Sequence, residues 1–179
     1  MSDQSFKGKW ALILGASSGM GAAVSRELAR AGMNIFGVHL DMKATLPLVK
    51  TLIEDIEAAG SQALFFNINA ADETKRGRVL DKIQATLAAA GGETTVHVLM
   101  HSLAFGTLLP FVHDDPAQRI SKAQMDMTLD VMAHSLVYWT QDFMDRRLLQ
   151  RGSRIFGMTS EGSHRVFAGV WQPAERAGV

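Results

Sequence analysis

The fold is decided by the stretch Leu14-Gly15-Ala16-Ser17-Ser18-Gly19-Met20-Gly21. It follows an apolar run from Trp10 to Leu14, which predicts a strand, and precedes a helical pattern that continues to Ala31. A strand, a glycine-rich turn and a helix in this order form the first unit of a dinucleotide-binding fold. Glycine suits such a turn because the backbone must bend sharply and approach phosphate groups closely. The unpaired N–H groups at the start of the helix can then bind an anion.

The three glycines are spaced G-x-x-x-G-x-G rather than G-x-G-x-x-G. Glycines also occur in ordinary turns, so the spacing alone does not identify a ligand. The strand before the turn and the helix after it favour a phosphate-binding turn. We predict that the following residues contact a dinucleotide: Gly15, Ser17, Ser18, Gly19, Met20 and Gly21.

The rest of the chain repeats the alternation of apolar runs and helical patterns. Further strands are predicted at Asn34 to Leu40, Ala63 to Ile68, Val96 to Met100 and Arg154 to Met158. This alternation is typical of a parallel sheet with helices on both faces, and right-handed crossovers favour the doubly wound, Rossmann-type α/β fold. Because the strands are continuous apolar runs, we expect them to be buried on both faces. Residues 1–169 are interpreted as one Rossmann domain and residues 170–179 as an atypical tail.

Composition narrows the function classes. The 18 Lys and Arg residues balance 18 Asp and Glu residues, so nothing indicates a nucleic-acid partner. There is no cysteine, which excludes disulfides and thiolate chemistry. No segment approaches the roughly 18 apolar residues of a membrane span, and the N-terminus lacks a signal-peptide pattern. We therefore expect a cytoplasmic protein without a membrane partner. The six histidines show no metal-ligand spacing, so no metal site is predicted.

Three later segments, taken with the glycine-rich turn, resemble one known family. Asn67-Ile68 ends the third predicted strand, His101-Ser102-Leu103-Ala104-Phe105-Gly106 follows the fourth, and Thr159-Ser160 follows the fifth. In order and distance these segments resemble the short-chain dehydrogenase/reductase superfamily. The segment that begins at His101 is similar to the divergent branch that contains the enoyl-[acyl-carrier-protein] reductases. The resemblance covers Lys7 to about Ala168.

The resemblance implies an NAD(P)-dependent oxidoreductase of the kind used in fatty acid biosynthesis. Such an enzyme transfers hydride to an activated double bond or a carbonyl, here on a possible acyl thioester substrate. Superfamily members commonly dimerise and tetramerise, so a homo-oligomer is expected. By resemblance, Asn67 and Ile68 hold the adenine, and Ser160 is the catalytic serine. The turn beside the nicotinamide is formed by His101, Ser102, Leu103 and Ala104.

Asp41 bears on the choice between NAD and NADP. It lies 20 residues beyond Gly21, near the end of the second predicted strand. A carboxylate there can accept hydrogen bonds from the adenosine ribose and would repel a 2′-phosphate. The alternatives are a solvated loop aspartate and a 2′-phosphate site at the nearby Lys43. The sequence favours NAD over NADP.

The sequence departs from the family pattern at the catalytic pair. In the family, a tyrosine donates the proton and a nearby lysine lowers the pKa of that tyrosine, which is near 10 unaided. The single tyrosine here is Tyr138, inside a long predicted helix, and Asp142 rather than lysine follows four residues on. No Tyr or Lys follows Ser160. We therefore expect a C-terminally truncated or frame-shifted chain that lacks the last strands of the family fold and is inactive or trace-active. The alternative is a catalytically incomplete dinucleotide-binding protein.

A long helix is predicted from about Lys122 to Leu149. Its apolar residues step by threes and fours and so indicate one face: Met125, Leu129, Met132, Leu136, Trp139 and Phe143. Core packing against the sheet and a subunit interface are both open interpretations of this face. Met127 is expected to point outward.

Overall fold

The computed structural model describes residues 6–91 and 95–160. Its strands are β1 (Trp10–Leu14), β2 (Asn34–His39), β3 (Ala63–Asn67), β4 (Val96–His101) and β5 (Arg154–Gly157). All four strand pairs are parallel, in the order β3-β2-β1-β4-β5. The doubly wound fold is thereby confirmed, and each strand begins where the sequence predicts and ends within one residue of its predicted end.

Five α-helices cover the two faces of this sheet within the described ranges. They are α1 (Gly19–Arg30), α2 (Leu46–Ala58), α3 (Glu73–Ala89), α4 (Lys122–Leu129) and α5 (Ser135–Asp145). Asp72 caps α3, because its Oδ1 accepts a hydrogen bond from the Lys75 N–H at 2.9 Å. None of the described helices has both the length and the apolar character that crossing a membrane requires.

The direction of winding reverses at β1. From β1 the chain moves outward to β2 and β3 on one side, then returns to add β4 and β5 on the other. In open parallel sheets, ligands bind in the crevice outside the carboxyl ends of the strands at such a reversal. The glycine-rich turn directly follows β1 and so lies at this point.

The core packs against both faces of the central strands. β1 and β2 are buried along their whole length, as predicted for strands covered on both sides. Trp10 stacks on Phe36 with ring centroids 4.0 Å apart, and Trp139 of α5 donates its indole N–H to the Ala70 carbonyl at 2.9 Å. The prediction of full burial is wrong for β3, which is partly buried, and for β5, which is exposed. These two strands form the edges of the described sheet and each has a single strand neighbour.

The long helix predicted from Lys122 to Leu149 is not continuous. A π-helical turn, Asp130–His134, separates α4 from α5, and α5 ends at Asp145. From the first residue of α5, the hydroxyl of Ser135 donates back to the Val131 carbonyl of this turn at 2.7 Å. π-Helical turns insert an extra residue into a helix and occur frequently at functional sites.

Candidate functional site

A cavity of about 390 Å³ opens at the carboxyl edge of the sheet, in the size range of small-molecule sites. It lies between the glycine-rich turn, the ends of β2, β3 and β4, and the wall formed by α4 and the π-helical turn. It is lined by Gly15, Ser17, Ser18, Gly19, Met20, Val38, His39, Leu40, Ile68, Asn69, Ala70, Ser102, Leu103, Ala104, Phe105, Met127 and Val131.

The glycine-rich turn is clamped between two strands. The Gly15 N–H donates to the Val38 carbonyl at 2.8 Å, and the Ser102 N–H donates to the Leu14 carbonyl at 2.8 Å. Gly15 has φ 83°, and a Cβ there would lie 2.5 Å from the Ser102 carbonyl oxygen. A Cβ at Gly21 would overlap the Gly15 carbonyl oxygen. Gly15 and Gly21 are therefore required by close contacts between backbone segments.

Gly19 differs from those two glycines because it faces open space. Its φ is 51°, and a Cβ there would meet no protein atom within 4 Å. Gly19 also begins α1, and the side chain of Ser18 before it makes no capping hydrogen bond to the helix backbone. The N–H groups of the first turn of α1 are thus available to an anion in the cavity.

A second cluster of polar groups lies beyond the end of β2. The Asp41 N–H donates to Asn67 Oδ1 at 2.9 Å, and Asn67 Nδ2 donates to the Asp41 carbonyl at 3.0 Å. The Asp41 carboxylate lies 2.9 Å from His39 Nδ1, and the hydroxyls of Ser17 and Thr45 lie near it. Burial raises the pKa of Asp41, but these polar neighbours outweigh burial and the pKa falls below its ordinary value. Asp41 is therefore an anion at neutral pH.

His101 ends β4 and lies beneath the cavity, not in the turn after the strand. It is buried, and its Nε2 lies 2.9 Å from the hydroxyl oxygen of Ser135. That hydroxyl gives its one proton to the Val131 carbonyl, so Nε2–H of His101 must be the donor. Burial lowers the pKa of His101, although hydrogen bonding to the Val131 backbone opposes the shift. A neutral imidazole thus ties β4 to the π-helical turn that carries part of the cavity wall.

The lowered pKa of His101 predicts a loss of stability in acid. The unfolded chain protonates this imidazole near pH 6.5, whereas the folded chain resists protonation. The contribution of the neutral His101 to the free energy of unfolding is therefore complete above about pH 6.5, and it is lost as the pH falls toward the folded-state pKa. In His101→Gln, the Gln Nε2 can still donate to Ser135 but does not titrate. Urea unfolding at about pH 7.5 and about pH 5.5 should show a smaller pH-dependent loss in the variant than in the parent. Equal losses in both proteins would contradict a neutral buried His101.

The structure brings together nine of the residues that the sequence singles out. Lining the cavity are Gly15, Ser17, Ser18, Gly19, Met20, Ile68, Ser102, Leu103 and Ala104. Gly21 and His101 lie behind the residues that line the cavity. Asp41 and Asn67 are hydrogen-bonded to each other beside the cavity, and Ser160 is exposed after β5. Contact of any of these residues with a ligand stays a prediction.

The sequence interpretation missed eight lining residues: Val38, His39, Leu40, Asn69, Ala70, Phe105, Met127 and Val131. His39 and Leu40 could have been found, because they end the second predicted strand and carboxyl ends of parallel strands meet at one edge. The placement of Met127 outward was wrong. Met127 is half-buried and lines the cavity, because the π-helical turn separates α4 from α5 and the two helices do not share one continuous face.

Tyr138 lies away from the cavity lining. Its hydroxyl donates to Asp130 Oδ1 at 3.3 Å, and the Arg76 guanidinium lies 5.3 Å from its ring centroid. Burial raises the pKa of Tyr138, the Asp130 carboxylate raises it further, and Arg76 opposes the rise only in part. Among the described residues no group of three or more acidic or histidine side chains is arranged to hold a metal ion.

A protein family described as Enoyl-(Acyl carrier protein) reductase matches residues 15–174. The chain belongs to this family. It is thus a member of the short-chain dehydrogenase/reductase oxidoreductases, as the sequence motifs indicate. The match includes the glycine-rich turn, the segment after β4 and the end of β5.

Individual relatives agree with the family assignment. The chain is 34% identical over 89 residues to 2,5-dichloro-2,5-cyclohexadiene-1,4-diol dehydrogenase LinX of Sphingobium indicum, covering 50% of this chain and 33% of that protein. A dehydrogenase/reductase from Sinorhizobium meliloti superposes with a TM-score of 0.76 at 21% identity, over 99% of this chain and 64% of that one. A Burkholderia cenocepacia short chain dehydrogenase in complex with NADP superposes with a TM-score of 0.74 at 24% identity, over 97% of this chain and 64% of that one. At these identities the solved structures show the shared fold.

The chain covers only part of the length of the proteins it matches. It spans about a third of the length of the curated relatives, at 32% and 33%, and 64% of the length of the solved structures described above.

Proposed function

We propose that the chain binds a nicotinamide dinucleotide and belongs to a reductase that transfers hydride to an activated double bond or a carbonyl. The observation that carries this proposal is the cavity at the carboxyl edge of the sheet, where the glycine-rich turn and the segment after β4 face each other. When bound, the dinucleotide supplies the hydride. Titration of the chain with NADH and with NADPH, read by nicotinamide fluorescence, tests the proposal, and no binding of either compound would refute it.

The residues of the cavity suit the parts of such a ligand. The open space at Gly19 and the free N–H groups of α1 suit the pyrophosphate, because a side chain at Gly19 would fill that space. Ile68 provides an apolar surface for the adenine. Residues 102–104, opposite the turn, flank the nicotinamide together with Val131. Ser160, exposed after β5, donates a hydrogen bond to the substrate.

An acyl thioester is the substrate class we favour for this member of the family. The family description supports it, and so does the apolar character of the wall beyond the glycine-rich turn. Leu103, Phe105, Met127 and Val131 line that wall. Phe105 is also 59% exposed and leaves apolar surface for a substrate chain.

NAD remains the favoured cofactor on the strength of Asp41 alone. Its carboxylate is anionic and lies at the rim of the cavity, where it would repel a 2′-phosphate. The Burkholderia cenocepacia protein of the same fold is in complex with NADP, so this fold can bind the phosphorylated compound. The relative affinities for NADH and NADPH decide between them.

A catalytically incomplete dinucleotide-binding protein is the second candidate. The observation that favours it is the position of Tyr138, the single tyrosine of the chain, on α5 and outside the cavity lining. On this proposal the chain binds the dinucleotide without turning it over.

We also propose that copies of the chain form a homo-oligomer through α5. Trp139 and Phe143 of α5 are buried against the sheet, whereas Val137 and Met144 are 51% and 62% exposed. Val137 and Met144 are seven residues apart and therefore share one outward face of the helix. That apolar face is the surface through which we expect copies of the chain to associate.

We expect the protein to sediment as a dimer or larger assembly at micromolar concentration, and Val137→Glu to shift it to monomer. A charge buried at an interface costs several kcal/mol, which corresponds to about a 100-fold weaker association or more. Thr51→Glu, at an exposed position of α2, is the matched control and should leave the assembly unchanged. A monomeric parent, or an equal shift in the control, would rule out this interface.

A further inference from the structure

A buried histidine stands between the cavity and Asp41. His39 is 4% exposed, ends β2 and lines the cavity, whereas Asp41 itself does not. The centroid of the His39 ring lies 6.1 Å from that of Phe65 on the neighbouring strand, so the imidazole packs beside a side chain of the sheet. Its Nδ1 lies 2.9 Å from Asp41 Oδ2.

The direction of this hydrogen bond follows from the charge of Asp41. An ionised carboxylate has no proton to donate, and the lowered pKa of Asp41 keeps it ionised at neutral pH. Nδ1 of His39 therefore carries the proton and donates it. A charge-assisted bond of this kind, between a buried ring and a carboxylate that is 14% exposed, restrains the carboxylate strongly.

The remaining contacts of Asp41 place its charge against the glycine-rich turn. The Ser17 hydroxyl lies near the carboxylate and Ser17 lines the cavity, whereas the Thr45 hydroxyl donates to the Met42 carbonyl at 3.1 Å. The reciprocal hydrogen bonds with Asn67 fix the backbone of Asp41. Of these contacts, only the one from His39 comes from a side chain that is both buried and part of the cavity wall.

We infer that His39 is a positioning residue that holds the Asp41 carboxylate at the rim of the cavity and so sets the discrimination between NAD and NADP. This inference rests on the proposed dinucleotide function. Without the bond from His39, the carboxylate can turn toward solvent and away from Ser17. The carboxylate would then accept a weaker hydrogen bond from a ribose hydroxyl, and it would repel a 2′-phosphate less strongly.

The test compares two uncharged replacements for His39. Asn places its Nδ2 where the imidazole has Nδ1 and can donate to Asp41, whereas Leu has no donor. The ratio of the Kd for NADPH to the Kd for NADH should fall by about 10-fold in His39→Leu, since hydrogen bonds to charged groups contribute about 1.5–3 kcal/mol. It should stay within about 2-fold of the parent in His39→Asn.

Asp41→Asn completes a double-mutant cycle. It should lower the ratio on its own, and adding His39→Leu to it should cause little further change, because both residues act through one carboxylate. If His39→Leu does not fold, His39→Val also lacks a donor, suits a strand position and should lower the ratio as well.

The outcomes separate the two proposals. If neither dinucleotide binds the parent, the proposed function fails. If both bind but the parent shows no discrimination, or the ratio is unchanged in His39→Leu, or the effects of His39 and Asp41 are additive, the positioning role of His39 is overturned.

Discussion

Gly19→Val is expected to weaken dinucleotide binding by about 100-fold or more, or about 2.7 kcal/mol. The side chain would project into the open space beside the first turn of α1, where the pyrophosphate is proposed to lie. A branched residue at φ 51° also strains the backbone, at a cost of about 1–2 kcal/mol. Fluorescence titration with NADH and NADPH measures the binding, and urea unfolding measures the strain.

Gly60→Val is the matched control for that strain. Gly60 follows α2 with φ 85°, and a Cβ there also meets nothing within 4 Å, but Gly60 does not line the cavity. The control should lose comparable stability and keep its dinucleotide affinity. Gly21→Val should instead fail to fold, because its side chain overlaps the Gly15 carbonyl. If a folded Gly19→Val protein kept the dinucleotide affinity of the parent, the pyrophosphate could not be assigned to this turn.

The 179-residue protein is expected to show no more than trace reduction of crotonyl thioesters or simple ketones by NADH or NADPH. General acid catalysis supplies about 10²–10⁴-fold and needs a proton donor within hydrogen-bond reach of the developing oxyanion. Ser160 is a weak acid. Tyr138 has a raised pKa, bonds to Asp130 and does not line the cavity.

Two variants test this expectation. Tyr138→Phe should leave the trace rate unchanged, since Tyr138 is proposed to have no part in proton transfer. A chain extended after Ser160 with a family-like segment that carries the tyrosine and lysine should react about 10²–10⁴-fold faster. Robust turnover by the 179-residue protein would contradict the expectation, and loss of that turnover in Tyr138→Phe would identify Tyr138 as the donor.

The strands and the glycine-rich turn could be predicted because their causes are local. β1 is an uninterrupted apolar run, and Gly15, Gly19 and Gly21 adopt backbone conformations or contacts that other residues resist. The edge strands were harder, since Ile155 and Phe156 of β5 resemble the residues of a buried strand, yet they are 43% and 50% exposed. Exposure of that kind depends on which neighbours a strand finds, and the sequence of the strand does not record this.

The polar cluster at the rim shows the same limit at the candidate site. Asp41 and Asn67 were singled out separately. Nothing in their spacing predicts that the side-chain amide of Asn67 hydrogen-bonds the backbone N–H and carbonyl of Asp41. The place of His39 at the end of a predicted strand could have been inferred. Its hydrogen bond to the Asp41 carboxylate could not, because the sequence does not show that the two side chains turn toward each other.

The π-helical turn also affects how this fold can diversify. In a continuous α-helix each residue advances about 100° around the axis. Loss of one residue from Asp130–His134 would therefore rotate α4 by roughly that angle and turn Met127 away from the cavity. Trp139 and Phe143, anchored in the core, would keep their places. A single inserted or deleted codon at this position could thus exchange the side chains that face a substrate while the buried half of α5 stays intact.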